Sequence, residues 1–84
     1  MTKPSKLYEQ LLANPGTIIS FRDFERLLGA FGWEHNRTKG SHRTYIHSGV
    51  PAVLTINPDG NAAHRYQVRR LLEFVEEYGL DMRS

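Results

Sequence analysis

The chain has no cysteine, which excludes disulfides and thiolate metal sites and fits a reducing compartment such as the cytoplasm. It has no apolar run near the roughly 18 residues that a membrane-crossing helix needs. Its first residues, Met1-Thr2-Lys3-Pro4-Ser5-Lys6, also lack the apolar centre of a secretory signal. A soluble, cytoplasmic protein is therefore expected. No two of the four histidines stand at a ligand spacing such as His-x3-His, so neither a metal nor a cofactor is expected. With 84 residues there is room for one domain of modest stability.

Acidic side chains are scarce in one region. Residues 35–72 carry six Lys/Arg against Asp59 alone, whereas residues 73–84 set four acids against Arg83, and the whole chain is only +2. A cationic middle of this kind attracts polyanions, although six basic residues on a small domain can equally be solvated surface.

What is present reads as three helices around three strands. Ser5 is placed to cap a short helix with Leu7, Tyr8, Leu11 and Leu12, which Asn14-Pro15-Gly16 stops. Ser20 and Asp23 resemble a capping box. Behind them Phe21, Phe24, Leu27, Leu28 and Phe31 recur at helical spacing, and Gly32 is a C-terminal cap. The period then changes. Residues 33–38, 43–47 and 52–56 read as strands of an antiparallel meander, with turns at Lys39-Gly40-Ser41 and Ser48-Gly49-Val50-Pro51. Asn57-Pro58-Asp59-Gly60 opens a polar loop that runs to Arg65. A last helix from about Tyr66 to Tyr78 carries Val68, Leu71, Leu72 and Val75 on one face, and Gly79-Leu80 suits a Schellman ending. The fold class expected is α+β, with the helices on one face of the sheet and the other face open for binding.

Lys39-Gly40-Ser41-His42 is the segment best suited to chemistry. It puts an imidazole just past a glycine turn, among cations and with no carboxylate nearby in sequence. Imidazoles exchange protons around neutral pH, and arginine and lysine hold phosphate. RNA carries its own nucleophile in the 2′-hydroxyl, so its cleavage needs proton transfer and donors around the phosphate, but no metal. From spacing alone, His42 can equally be a polar strand residue beside an ordinary hairpin turn. His47, five positions along, nominally falls on the opposite face and is a poor second catalyst; a nucleic-acid contact and a structural role are equally open for it.

The run from Phe21 to Phe31, then Gly32-Trp33, Arg37, Lys39-Gly40-Ser41-His42, Tyr45, His47, Pro58-Asp59-Gly60 and Gln67-Val68-Arg69-Arg70-Leu71-Leu72 resemble the HicA toxin family. The resemblance covers residues 16–80 as the family core, with residues 1–15 a leading helical extension of a single domain spanning 1–84. It implies an α-β-β-β-α fold like that of double-stranded-RNA-binding domains. It also implies a ribonuclease toxin that cleaves mRNA, a HicB-like antitoxin that blocks it, and a catalytic histidine that falls on His42. His35 and Asn36 stand where the family's first strand is more apolar, which points to a short or edge strand.

Around His42, the residues expected to meet RNA are Arg37, Lys39 and Arg43 through phosphate, and Gly40 and Ser41 through their N–H and hydroxyl donors. Tyr45 either stacks on a base or fills the sheet. Arg65, with Arg69 and Arg70, forms a second anchor, unless Arg69 pairs with Glu73 one turn on. The expected partners are thus mRNA and a HicB-like antitoxin, with the protein a monomer when free of it. A noncatalytic RNA-binding module of the same fold is the alternative.

Overall fold

The computed structural model describes residues 3–82. Met1 and Thr2, used in the reading of the first residues, and Arg83, counted in the tail charge, lie outside the described residues. Helix α1 (Pro4–Ala13) has Lys3 as its N-cap, so Ser5 lies inside the helix and is not the cap expected of it. The reason is Pro4, whose fixed φ and missing N–H suit the first helical turn and move the start forward. Leu7 and Leu11 are buried, and Tyr8 meets Phe31 edge-on with ring centroids 5.0 Å apart, whereas Leu12 faces outward.

Helix α2 (Phe21–Ala30) begins as its sequence indicates, with the Asp23 N–H donating to Ser20 Oγ at 3.0 Å. The reciprocal half of the capping box is missing. Asp23 Oδ1 instead accepts from Arg26 Nη1 at 3.2 Å. Phe21, Phe24, Leu27 and Leu28 line the buried face of α2, with Phe31 buried just beyond it. Gly32, at φ 89°, then reverses the chain and brings the Trp33 N–H to the Leu28 carbonyl at 3.0 Å.

Three antiparallel strands follow in the order β1-β2-β3: β1 (Glu34–Lys39), β2 (His42–Ile46) and β3 (Leu54–Ile56). The first two begin one residue away from the expected positions, and Ala52 and Val53 lie outside β3. Strand β1 is at the edge, as expected, with every side chain exposed. Gly40-Ser41 closes a two-residue hairpin between the paired Lys39 and His42, and φ of 61° at Gly40 is the first-position glycine of a II′ turn.

The stretch after Asn57 is not the polar loop expected. It folds into a second small hairpin, β4 (Pro58–Asp59) and β5 (Ala62–Ala63), turning at Gly60-Asn61. Two-residue strands are too short for alternation to register, and this pair is held by its surroundings: the Phe21 N–H donates to the Asn61 carbonyl at 2.8 Å and the Ala63 N–H to the Ile19 carbonyl at 2.9 Å.

Helix α3 (Arg65–Tyr78) ends at Gly79, in the left-handed conformation at φ 59° and ψ 43°, with the Leu80 N–H on the Val75 carbonyl at 3.0 Å. Its buried Gln67 ties helix to sheet: Oε1 accepts from the Asn57 N–H at 3.2 Å and Nε2 donates to Asn57 Oδ1 at 2.8 Å. The core joins Leu7 and Leu11, the apolar faces of α2 and α3, Trp33 just before β1, and Tyr45, Leu54 and Ile56 from the sheet. The order is therefore α-α-β-β-β-α, with the hairpin between β3 and α3. No helix among the described residues is long and apolar enough to cross a membrane.

Candidate active site and nucleic-acid interface

Directly paired residues of an antiparallel sheet project to the same side, so the register sorts the strand residues into two faces. Arg43, Tyr45, Leu54 and Ile56 point to the helices, together with Thr38 and His35 of β1. The other face carries Lys39 opposite His42, then Arg37 beside Thr44 and Thr55, and Glu34 opposite Ile46. Thr44 and Thr55 touch through their hydroxyls at 3.4 Å. The hairpin pairing of Lys39 with His42 sets this face, because Arg37 lies two residues along β1 on the same side; a bulge between His35 and Arg37 then resets the alternation so that His35 pairs with Tyr45 on the helix side.

His42 is exposed and is the first residue of β2, and its side chain makes no hydrogen bond or ion pair among the described residues. Lys39, Gly40 and Ser41 are exposed beside it. The site is an open cationic surface and not a pocket, which suits an extended polyanion better than a small molecule.

Arg43 and Tyr45 are turned away from that surface. Glu25 of α2 takes both: its Oε2 accepts from Arg43 Nη1 at 2.5 Å and from the Tyr45 hydroxyl at 2.8 Å, and the Arg43 guanidinium lies 5.4 Å from the Phe21 ring centroid. Tyr45 is 6% exposed, so its ring packs in the sheet and has no free face for a base. Burial, and then the bond to Glu25 and its negative charge, push the Tyr45 hydroxyl up to about 12. Sequence reasoning missed Glu25. It lies 18 and 20 residues from its partners, and its sole local signal is a charge on the inner side of a strongly amphipathic helix.

His47 sits just beyond β2 in different surroundings. Its Nδ1 accepts the Gly49 N–H at 2.9 Å, so Nε2 carries the proton and donates to the Phe31 carbonyl at 2.9 Å. The ring also meets Trp33 edge-on at 5.4 Å. A Cβ on Gly49 would come within 3.3 Å of that ring. His47 is thus a structural clasp between the end of α2 and the loop after β2. Arg65 and Arg69 are exposed where α3 starts, and Arg69 forms no ion pair with Glu73. Arg70 lies over the Phe74 ring at 5.0 Å. No group of three or more His, Asp or Glu side chains able to hold a metal occurs among the described residues.

A three-stranded antiparallel sheet with helices on one face and a closing C-terminal helix defines a small α+β domain with the layout of double-stranded-RNA-binding domains. A family model described as the HicA toxin of bacterial toxin-antitoxin systems matches residues 21–75, from the start of α2 through most of α3, and the chain belongs to that family. Membership implies an antitoxin partner. No curated protein and no solved structure matches the chain.

Proposed function

We propose that this toxin is a metal-independent endoribonuclease that cleaves mRNA on the open face of its sheet, with His42 as the proton-transfer residue. The observation that carries this reading is an exposed imidazole at the start of β2, its side chain without a partner among the described residues, opposite Lys39 and two residue pairs along from Arg37 on the same face. Lys39 and Arg37 hold the phosphate, and Gly40-Ser41 adds backbone N–H and hydroxyl donors. Arg65 anchors the strand further on. Arg43 and Tyr45 act indirectly, by fixing β2 to α2 through Glu25.

His42 takes the proton of the ribose 2′-hydroxyl, the 2′-oxygen bonds to phosphorus, and the bond to the 5′-oxygen breaks. The leaving oxygen takes a proton from solvent, and the imidazolium returns its own to solvent. The products are a 2′,3′-cyclic phosphate and a 5′-hydroxyl. No metal is needed, because the substrate brings the nucleophile and the cations stabilise the charge. With one proton-transfer residue the reaction is slow, which is enough for a toxin that has only to outpace message synthesis. The chain works as a single domain in the cytoplasm, a monomer when free, and a HicB-like antitoxin neutralises it by covering the cationic face with an acidic surface.

Incubating the protein with RNA in EDTA, beside His42→Ala, tests the reading. Cleavage to cyclic-phosphate ends by the wild type and none by a folded His42→Ala is expected. Intact RNA with the wild type, or equal cutting by the variant, rejects it. Salt-sensitive binding without any cleavage would instead mark a noncatalytic RNA-binding module.

A further inference from the structure

The two most exposed large apolar side chains among the described residues, Ile18 at 68% and Tyr66 at 65%, line one groove. Arg65 and Arg69 line it as well, and among the described residues neither is in an ion pair and Asp59 is the one carboxylate on its wall. An isolated exposed apolar residue is ordinary; a tyrosine and an isoleucine together beside two free guanidiniums are not. The Tyr66 hydroxyl accepts from Gln67 Nε2 at 3.2 Å, and the ring leans on His64 with centroids 5.4 Å apart, so the tyrosine is held in place while its surface stays open.

The groove's position matters. Strand β3 ends at Ile56, which pairs with Arg43, the neighbour of His42. The next residue, Asn57, is bonded to Gln67 in the first turn of α3. Groove and His42 therefore lie at the same end of the sheet.

We propose that this groove is a subsite for one unpaired nucleotide of the RNA flanking the cleaved bond, its base stacked on Tyr66 against Ile18 and its phosphate held by Arg65 and Arg69. The subsite rests on the RNA-cleavage reading and sharpens its substrate to single-stranded RNA. Stacking on an aromatic ring needs a free base face, which a base inside a duplex does not offer.

Fluorescence anisotropy of a labelled oligouridylate and of a duplex RNA, in the full chain carrying His42→Ala so that the probe survives, tests it. Adding Tyr66→Ala weakens oligouridylate binding by roughly 5- to 100-fold. Tyr66→Phe stays close to the parent, and the duplex binds more weakly and ignores position 66. Tyr66 is largely exposed, so both variants keep the fold, which circular dichroism checks. Unchanged oligouridylate binding by Tyr66→Ala, or equal binding of the duplex, overturns the subsite even if the wild type cleaves RNA. Intact RNA with the wild type, together with Tyr66-dependent binding, removes the cleavage reading and leaves the subsite standing.

Discussion

The two faces of one small sheet have divided the work between them, and the histidines at either end of β2 show how. Toward the helices, His47 spends both ring nitrogens on the backbone, at Phe31 and Gly49, and Tyr45 and Arg43 are spent on Glu25. On the open face the His42 side chain has no hydrogen-bond or ion-pair partner among the described residues, and its neighbours are Lys39 and Arg37. A polar group with its partners satisfied holds a structure together; one left free and beside cations is available to a substrate. Residue type alone does not separate these roles. Facing and bonding do.

The division breaks most visibly at His42. His42→Ala lowers RNA cleavage by roughly 100- to 10,000-fold, while its denaturation midpoint stays where the wild type's is. Next comes the covered side: Leu11 of α1 is fully buried, so Leu11→Ala costs about 2–5 kcal/mol in a urea titration. An unchanged midpoint there would detach the leading helix from the core. His47→Ala removes two backbone bonds and a ring contact and costs about 1–3 kcal/mol, read from the same titration.

Smaller effects sharpen the comparison. Lys39→Ala and Arg37→Ala each reduce the slope of log affinity against log salt by about 1, whereas Arg43→Ala, turned inward, changes stability more than that slope. Alkaline stability separates the faces in another way. The Tyr45 hydroxyl is raised to about 12 from an ordinary 10, so the folded state holds its proton after the unfolded state has lost it. Its stabilising contribution is complete below pH 10 and disappears as pH rises from 10 to about 12. Tyr45→Phe flattens that decline in pH-dependent melting.

Much of this was legible in the residues. The apolar period of α2 and α3, Ser20 at one start and Gly79 at one end, and the Gly-Ser-His turn all act locally, within one or two turns of chain. What was not legible depends on partners distant in sequence. The bulge at Asn36 exists only relative to β2, yet it decides that His35 turns to the helix side beside Tyr45. Glu25 gives no local sign that it will hold two residues of β2. The β4–β5 hairpin is too short to show a pattern and is held by Ile19 and Phe21. Tyr45 reads alike as stacking or packing residue until its face is known.

Cleavage rates of His42→Ala and His47→Ala on the same RNA, at a temperature where both are folded, test the division most directly. The account predicts that His47→Ala cuts within a few-fold of the wild type while His42→Ala falls at least about 100-fold. Equal losses in the two variants, or a greater loss at His47, would contradict it.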